Sequence, residues 1–232
     1  MGDTKECELD LAAARAWVSD DARWPSIRDF LWDFAPQVHP SWLDGLTALE
    51  SLPAPAVSGA PQLADLMSSP RAKAFVLSSL GIEPCFHTFP KEDGSRLLLL
   101  DSATLESLAK WLGALACADS LRKVMDGATV RALKAALPGI YPEVFSYMAY
   151  FRGANMPVME AKCAEDVVAA GVSLLFSVVA SLSPPLLSRL QFKFPKAFRD
   201  LCGEKKGGPS GLQVVQKLLK LKFPEAYQVC FS

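Results

Sequence analysis

Histidine-based chemistry has few options in this 232-residue chain, because its only histidines are His39 and His87. Cys85 and His87 stand two positions apart, a spacing that places both on one face of a strand, where Zn²⁺ could take them as two ligands. A structural zinc site takes four ligands, and Cys117 or Cys163 would complete the set only by a coincidence of the fold. We therefore interpret Cys85 and His87 as packed strand residues, and predict no metal and no cofactor.

Enzyme motifs are absent from the sequence. It contains no GxSxG, GxxxxGK[ST], HExxH or GxGxxG pattern. A cysteine nucleophile assisted by His39 or His87 is the enzymatic alternative. The six cysteines form no CxxC pair, and the acidic first ten residues lack the apolar core of a secretory signal. We therefore expect the cysteines to be reduced thiols and the protein to be cytoplasmic and non-enzymatic.

Charge is polarised along the chain. The first 50 residues carry ten acids and four bases, a net of −6, whereas nine bases face two acids from Leu186 to Lys222, a net of +7. These opposite ends produce an overall net charge of only −1, which argues against general binding to nucleic acid or to an anionic membrane. This uneven distribution of charge instead favours docking to partners whose surfaces carry charges of different sign.

A β-hairpin is predicted near residues 85–100. Two apolar runs, Cys85–Phe89 and Arg96–Leu100, flank an Asp93-Gly94 turn. Before the hairpin, residues 52–61 (LPAPAVSGAP) are typical of an extended linker, and a helix follows from Pro61 to the stop at Gly81.

The region 102–232 is predicted to be a helical body. Asp101 or Ser102 can cap a helix with an apolar stripe from Leu105 to Leu115. Residues 167–188 lack charge, but their serines and prolines favour a buried helix over Glu165–Leu182 rather than a membrane span. Further helices are expected over 121–125, 130–137, 142–152, 186–190, 195–201, 212–221 and 224–230.

The predicted fold is thus mainly α: a compact single domain, residues 1–232, of many helices with one small β-hairpin. Its parts are an acidic amino-terminal part (1–50), the linker (52–61), the hairpin (85–100) and the helical body (102–232).

Three stretches together resemble a known family. They are His39-Pro40-Ser41-Trp42-Leu43, the run LAKWLGAL from Leu108 that continues to LRKVMDGATVR ending at Arg131, and residues 186–195 followed by an end that contains Pro224. In this order they resemble the SctK/YscK family, the sorting-platform proteins of bacterial type III secretion systems. Residues 52–100 match the family least.

The resemblance implies a cytoplasmic, non-enzymatic adaptor of the virulence-associated injectisome. In that family the protein lies beneath the inner-membrane ring. It links the cytoplasmic domain of the ring protein SctD to the SctQ pods, which lead through SctL to the ATPase SctN. The alternative is a type III secretion chaperone or effector-binding protein, although such proteins are typically small, dimeric and more acidic than this chain.

Two-sided binding suggests candidate partner residues. We hypothesise that the acidic portion around His39–Asp44 faces one partner and the basic carboxyl-terminal portion another. Trp42 is of a residue type enriched at binding hot spots, but its flanking residues Pro40 and Leu43 favour the alternative, in which it anchors its own segment to the core. The candidates are His39, Pro40, Trp42, Leu43, Asp44, Lys193, Lys196 and Arg199.

Overall fold

The described structure is mainly helical, as predicted. A computed structural model describes residues 23–44, 69–82, 89, 93–151, 153–154, 156–203 and 210–231. The α-helices are α1 (Trp24–Trp32), α2 (Pro70–Ser79), α3 (Ser102–Ala116), α4 (Ala118–Leu121), α5 (Gly127–Ala136), α6 (Val144–Tyr147), α7 (Ala164–Val178), α8 (Pro184–Phe192), α9 (Ser210–Lys222) and α10 (Pro224–Phe231). Short 3₁₀-helices run over Ala35–Gln37, Pro40–Trp42, Asp93–Leu99, Met148–Phe151 and Lys196–Gly203.

The predicted β-hairpin is wrong. No strand occurs in the described ranges, and the predicted second strand, Arg96–Leu100, is mostly a 3₁₀-helix over Asp93–Leu99. The first predicted strand lies outside the described residues except for Phe89, which is not in a strand. A short apolar run does not distinguish a buried strand from a buried helical turn, and this run of leucines lacks the β-branched residues that favour a strand.

Several helix boundaries follow from local signals. Asp101 caps α3: its carboxylate oxygens accept hydrogen bonds from the backbone N and Oγ1 of Thr104, both at 2.8 Å. Burial opposes ionisation of the Asp101 carboxyl, but the Thr104 hydrogen bonds outweigh it and lower its pKa. Gly81 has φ of +65°, a conformation that suits glycine, so α2 ends near the predicted stop. The predicted linker 52–61 and helix start at Pro61 lie outside the described residues.

Contacts divide the chain into two compact units. Unit 1 consists of residues 1–99 and 183–196, and unit 2 of residues 100–182 and 197–232. Unit 1 thus contains α1, α2 and α8, and unit 2 contains the remaining α-helices. The single-domain interpretation stays a prediction.

The centre of unit 2 is a close crossing of α3 and α7. A Cβ atom at Gly113 would lie 1.8 Å from the carbonyl oxygen of Val167, and one at Gly171 would lie 1.8 Å from that of Ala109. The two backbones therefore touch at glycines, because no side chain fits between them. Helix α7 is buried almost all round, as predicted, and none of the described helices is long and apolar enough to cross a membrane.

Candidate partner-binding site

The segment from His39 to Asp44 is a short 3₁₀-turn held by its own side chains. His39 lies at the N-cap of the turn Pro40–Trp42, and the backbone N–H of Ser41 donates to its Nδ1 at 3.2 Å. The Ser41 Oγ lies 2.9 Å from the same Nδ1. The backbone N–H of His39 donates to the carbonyl oxygen of Phe192, at 2.8 Å, and so joins this turn to the end of α8.

Trp42 anchors the turn to unit 1. Its side chain is only 7% exposed, and its Nε1 donates a hydrogen bond of 2.8 Å to the carbonyl oxygen of Phe194. The indole packs edge-on against Phe192, with the ring centroids 4.6 Å apart. Leu43 beside it is also buried. These contacts favour the anchoring interpretation of Trp42, because a buried, hydrogen-bonded indole offers little surface to a partner.

Lys193 is buried in unit 1. Its Nζ donates to the carbonyl oxygen of Leu98 at 2.6 Å and lies 5.1 Å from the centroid of the Phe30 ring. One turn earlier, Arg189 donates to the carbonyl oxygen of Phe30 at 2.7 Å, and its guanidinium lies 5.2 Å from the centroid of Phe34. Carbonyl dipoles and ring faces stabilise these cations away from water. Two bases of the predicted basic surface therefore serve the interior of unit 1.

The remaining candidates are exposed. Pro40, Asp44 and Lys196 are exposed in unit 1, and the backbone N–H of Lys196 donates to the Ser41 Oγ at 2.8 Å. Arg199 is also exposed but belongs to unit 2. The acidic and basic segments that we expected to face different partners thus contact each other through Phe192–Lys196. Their roles in partner binding stay predictions.

Two more bases of the carboxyl-terminal part are engaged within unit 2. The Nζ of Lys222 lies 2.6 Å from Oε1 of Glu143, 4.1 Å from the centroid of Tyr147 and 4.4 Å from that of Trp111. Burial lowers the pKa of the Lys222 ammonium, but Glu143 and Tyr147 outweigh it and raise that pKa. Lys217 similarly donates to the carbonyl oxygen of Tyr150. Helix α9 is thereby held against its neighbours by cations that sequence reasoning assigned to a surface.

The thiols differ in their surroundings. Cys117 is fully buried, and burial, aided by the charge of Asp166, raises the pKa of its thiol to about 11. A thiol with that pKa is protonated at neutral pH and is a poor nucleophile. Cys163 is exposed at the start of α7. Within the described ranges no three His, Cys, Asp or Glu residues could together hold a metal ion, and Cys85 and His87 lie outside them.

Residues 30–140 match the model of a protein family described as YOP proteins translocation protein K (YscK). The chain carries a YscK-family region. The resemblance seen in the sequence is thereby confirmed over these residues, and a region of this family indicates a protein related to type III secretion. No curated protein and no solved structure gives a significant match to the chain.

Sequence reasoning did not identify four cations within residues 30–140 as candidate partner-binding residues. Arg122, Lys123, Arg131 and Lys134 are all exposed in unit 2. Most of this stretch belongs to the family resemblance, which does not depend on its charge. Counting charge along shorter segments would have found them, because residues 119–136 carry these four bases and only two acids, Asp119 and Asp126.

Proposed function

We propose that this protein is a non-enzymatic adaptor of the type III secretion sorting platform. It links the cytoplasmic domain of the inner-membrane ring protein SctD to the SctQ pods, and through SctQ it connects indirectly to SctL and the ATPase SctN. It acts in the cytoplasm, at the face of the inner membrane that carries the injectisome, and it binds no nucleic acid. The observation that carries the proposal is the YscK-family match over residues 30–140.

Two features of the described structure support an adaptor. A protein that bridges two partners needs firm surfaces, and the backbone contact at Gly113 and Gly171 makes the centre of unit 2 firm. The indole of Trp42 fixes its turn in unit 1 through a hydrogen bond and a ring contact. Each unit also carries exposed polar residues, Asp44 and Lys196 in unit 1 and the Arg122–Lys134 cations in unit 2.

The second candidate is a type III secretion chaperone or effector-binding protein, which would share the family's cellular setting. An adaptor and a chaperone differ in what they bind. The adaptor binds stationary components of the machine, whereas the chaperone binds a protein that is itself secreted.

Co-purification of the tagged full-length chain separates the two functions. We expect SctQ and the SctD cytoplasmic domain to be recovered together with the chain, in the presence or absence of secreted substrates. Recovery of a secreted substrate, with neither SctQ nor SctD, would contradict the adaptor and support the chaperone.

Reversal of exposed charge in unit 1 provides a finer test. Asp44→Lys changes an exposed carboxylate beside the Trp42 anchor, and Glu225→Lys changes an exposed carboxylate in unit 2 as a matched control. If the His39–Asp44 turn faces a partner, the Asp44 variant alone loses that partner. Unchanged binding of both variants to SctD and SctQ would reject the electrostatic role of this turn.

A further inference from the structure

We propose that Arg122, Lys123, Arg131 and Lys134 form a cationic docking surface in unit 2 for an acidic protein segment of the secretion machinery. This inference rests on the proposed adaptor function and deepens it, because it assigns a surface and a partner chemistry. The surface differs from the basic carboxyl-terminal portion that the sequence suggested.

Local structure places the four cations near each other. Arg122 and Lys123 directly follow α4, and α5 begins at Gly127. The five residue steps from Arg122 to Gly127 span at most about 17 Å, even when fully extended. Arg131 and Lys134 are three positions apart on α5 and therefore lie on neighbouring parts of its surface. All four side chains fit within the extent of an ordinary protein interface, which buries about 800 Å² on each partner.

The burial pattern of α5 directs Arg131 and Lys134 outward. Leu133 is 1% exposed and is the buried residue of the helix, while Ala128, Arg131, Lys134 and Ala135 are exposed. The side of α5 that carries Leu133 thus packs inward, and the side that carries the cations faces solvent.

These cations have no ionic partner in the part of the chain that the structure describes. The guanidinium of Arg122 lies 5.5 Å from the centroid of the Phe145 ring, but among the described residues no carboxylate lies within 4.0 Å of any of the four cations. Other lysines of unit 2 are paired, as Lys222 is with Glu143. Unpaired, exposed positive charge is available to an anionic partner at little desolvation cost.

The carboxylates in the same stretch do not neutralise this surface. Asp126 caps α5, where its Oδ2 accepts hydrogen bonds from the backbone N of Thr129 at 2.7 Å and from its Oγ1 at 2.6 Å. Asp119 is exposed in the first turn of α4. Four bases against these two acids leave the stretch with a net positive charge of two.

The surroundings of the cations favour a protein over a membrane or nucleic acid. The outward side of α5 carries alanines such as Ala128 and Ala135 rather than the large apolar residues that insert into a bilayer. The net charge of −1 for the chain gives no general attraction for nucleic acid. Met125, 95% exposed between the two pairs of cations, offers the adaptable apolar contact that protein interfaces use. The two guanidiniums suit bidentate pairing with carboxylates.

Charge reversal in the full-length chain tests this surface. The test variants are Arg122→Glu/Lys123→Glu and Arg131→Glu/Lys134→Glu. The control is Arg71→Glu/Lys162→Glu, which makes the same change in net charge at exposed positions elsewhere. Calorimetric titration measures the affinity of each protein for SctQ and for the SctD cytoplasmic domain, at low and at high salt. Circular dichroism verifies that each variant is folded.

We expect each test variant to bind one of the two partners about tenfold more weakly or worse, while the control keeps both affinities. The remaining salt dependence should also be smaller in the test variants. If the wild type binds its partners and the test variants bind them equally well, or if the control loses as much affinity, the docking surface is overturned and the adaptor function stands. If the wild type binds neither partner, the adaptor function and the docking surface are both overturned.

A second experiment tests a lipid surface as the occupant and uses vesicles that contain phosphatidylserine. The wild type is expected not to sediment with them. Sedimentation that the test variants lose, with unchanged binding of both proteins, would overturn the acidic protein segment as the occupant and assign the cations to a lipid surface.

Discussion

Units 1 and 2 differ in how deeply they bury positive charge. In unit 1, Arg189 and Lys193 point into the interior and donate to the carbonyl oxygens of Phe30 and Leu98. In unit 2, the centre is an apolar crossing of α3 and α7, and cations such as Arg131 and Lys134 are exposed. The comparison shows that a basic residue contributes to a binding surface only when the folded structure leaves its charged group exposed to solvent.

The centre of unit 2 should be more sensitive than the interior of unit 1 to one added methyl group. Gly113→Ala places a methyl group 1.8 Å from the backbone oxygen of Val167, so α3 and α7 must separate. We expect a loss of about 3 kcal/mol or more in the free energy of unfolding, measured by urea denaturation. Hydrogen exchange should increase chiefly in α3 and α7.

Gly127→Ala is the matched control for that variant. Among the described residues, a Cβ atom at Gly127 would meet a side-chain nitrogen of Arg131 and nothing else within 4 Å, and that distance is an ordinary 3.6 Å. The free energy of unfolding should then change by less than about 1 kcal/mol, because alanine suits a helix better than glycine. Equal stabilities of the two variants would show that the crossing is looser than described.

The interior of unit 1 should depend on its buried cations. Lys193→Met removes the ammonium that bonds to the Leu98 oxygen and leaves that oxygen with one partner fewer. We expect a loss of about 2 to 3 kcal/mol, measured by urea denaturation. Lys196→Met, at an exposed position three residues later, should cost less than about 0.5 kcal/mol. If the Lys193 variant is as stable as the wild type, the interior of unit 1 does not depend on this buried cation, and the proposed difference between the units is wrong.

Trp42 distinguishes an anchor from a hot spot. Trp42→Phe removes the Nε1 donor to the Phe194 oxygen and keeps most of the apolar ring. If Trp42 is an anchor, the substitution should lower the free energy of unfolding by about 1 to 2 kcal/mol. Partner affinity should then fall only as far as this loss of stability explains. Trp32→Phe is the control, because Trp32 is 45% exposed and no hydrogen bond of its indole is found among the described residues. Weaker partner binding by a Trp42 variant of full stability would instead identify a hot spot.

Much of the helical framework could be predicted because its signals are local. Asp101 stands three residues before Thr104, and the leucine stripe on α3 recurs at helical spacing, so the helix and its cap follow from the sequence. The strand expected at Arg96–Leu100 failed because its leucine run fits any buried segment, and only the packing in unit 1 selects a 3₁₀-helix.

The interior role of the cations was only partly visible in the sequence. Leu186, Arg189, Leu190 and Lys193 follow the spacing of a buried helical face, which could have predicted that both cations point inward. Their carbonyl partners could not be predicted, because the Phe30 oxygen lies 159 positions from Arg189 and the Leu98 oxygen 95 positions from Lys193. Contacts of that separation depend on the whole of unit 1.

Helix starts provide the smallest contrast between the units, although α10 of unit 2 also begins with a proline, Pro224. In unit 1, α1, α2 and α8 begin with proline in the first turn and have no side-chain hydrogen bond at the N-cap. In unit 2, α3 and α5 begin at aspartates whose carboxylates bond to threonines. Proline favours a helix start through its fixed φ and does not titrate, whereas an aspartate cap weakens when it is protonated.

Acid should therefore loosen unit 2 at these caps first. The Thr129 hydroxyl and backbone hydrogen bonds hold the pKa of Asp126 below the usual 3.8, and that of Asp101 is also lowered. Because the folded state has the lower pKa, the contribution of each cap is complete well above pH 3.8 and is lost as pH falls through the folded pKa. Hydrogen exchange near the starts of α3 and α5 should rise below about pH 4, and less at α1 and α8. Asp101→Asn/Asp126→Asn keeps cap acceptors that do not ionise, so it should flatten this pH dependence. A variant with the wild-type profile would place the acid sensitivity elsewhere in the chain.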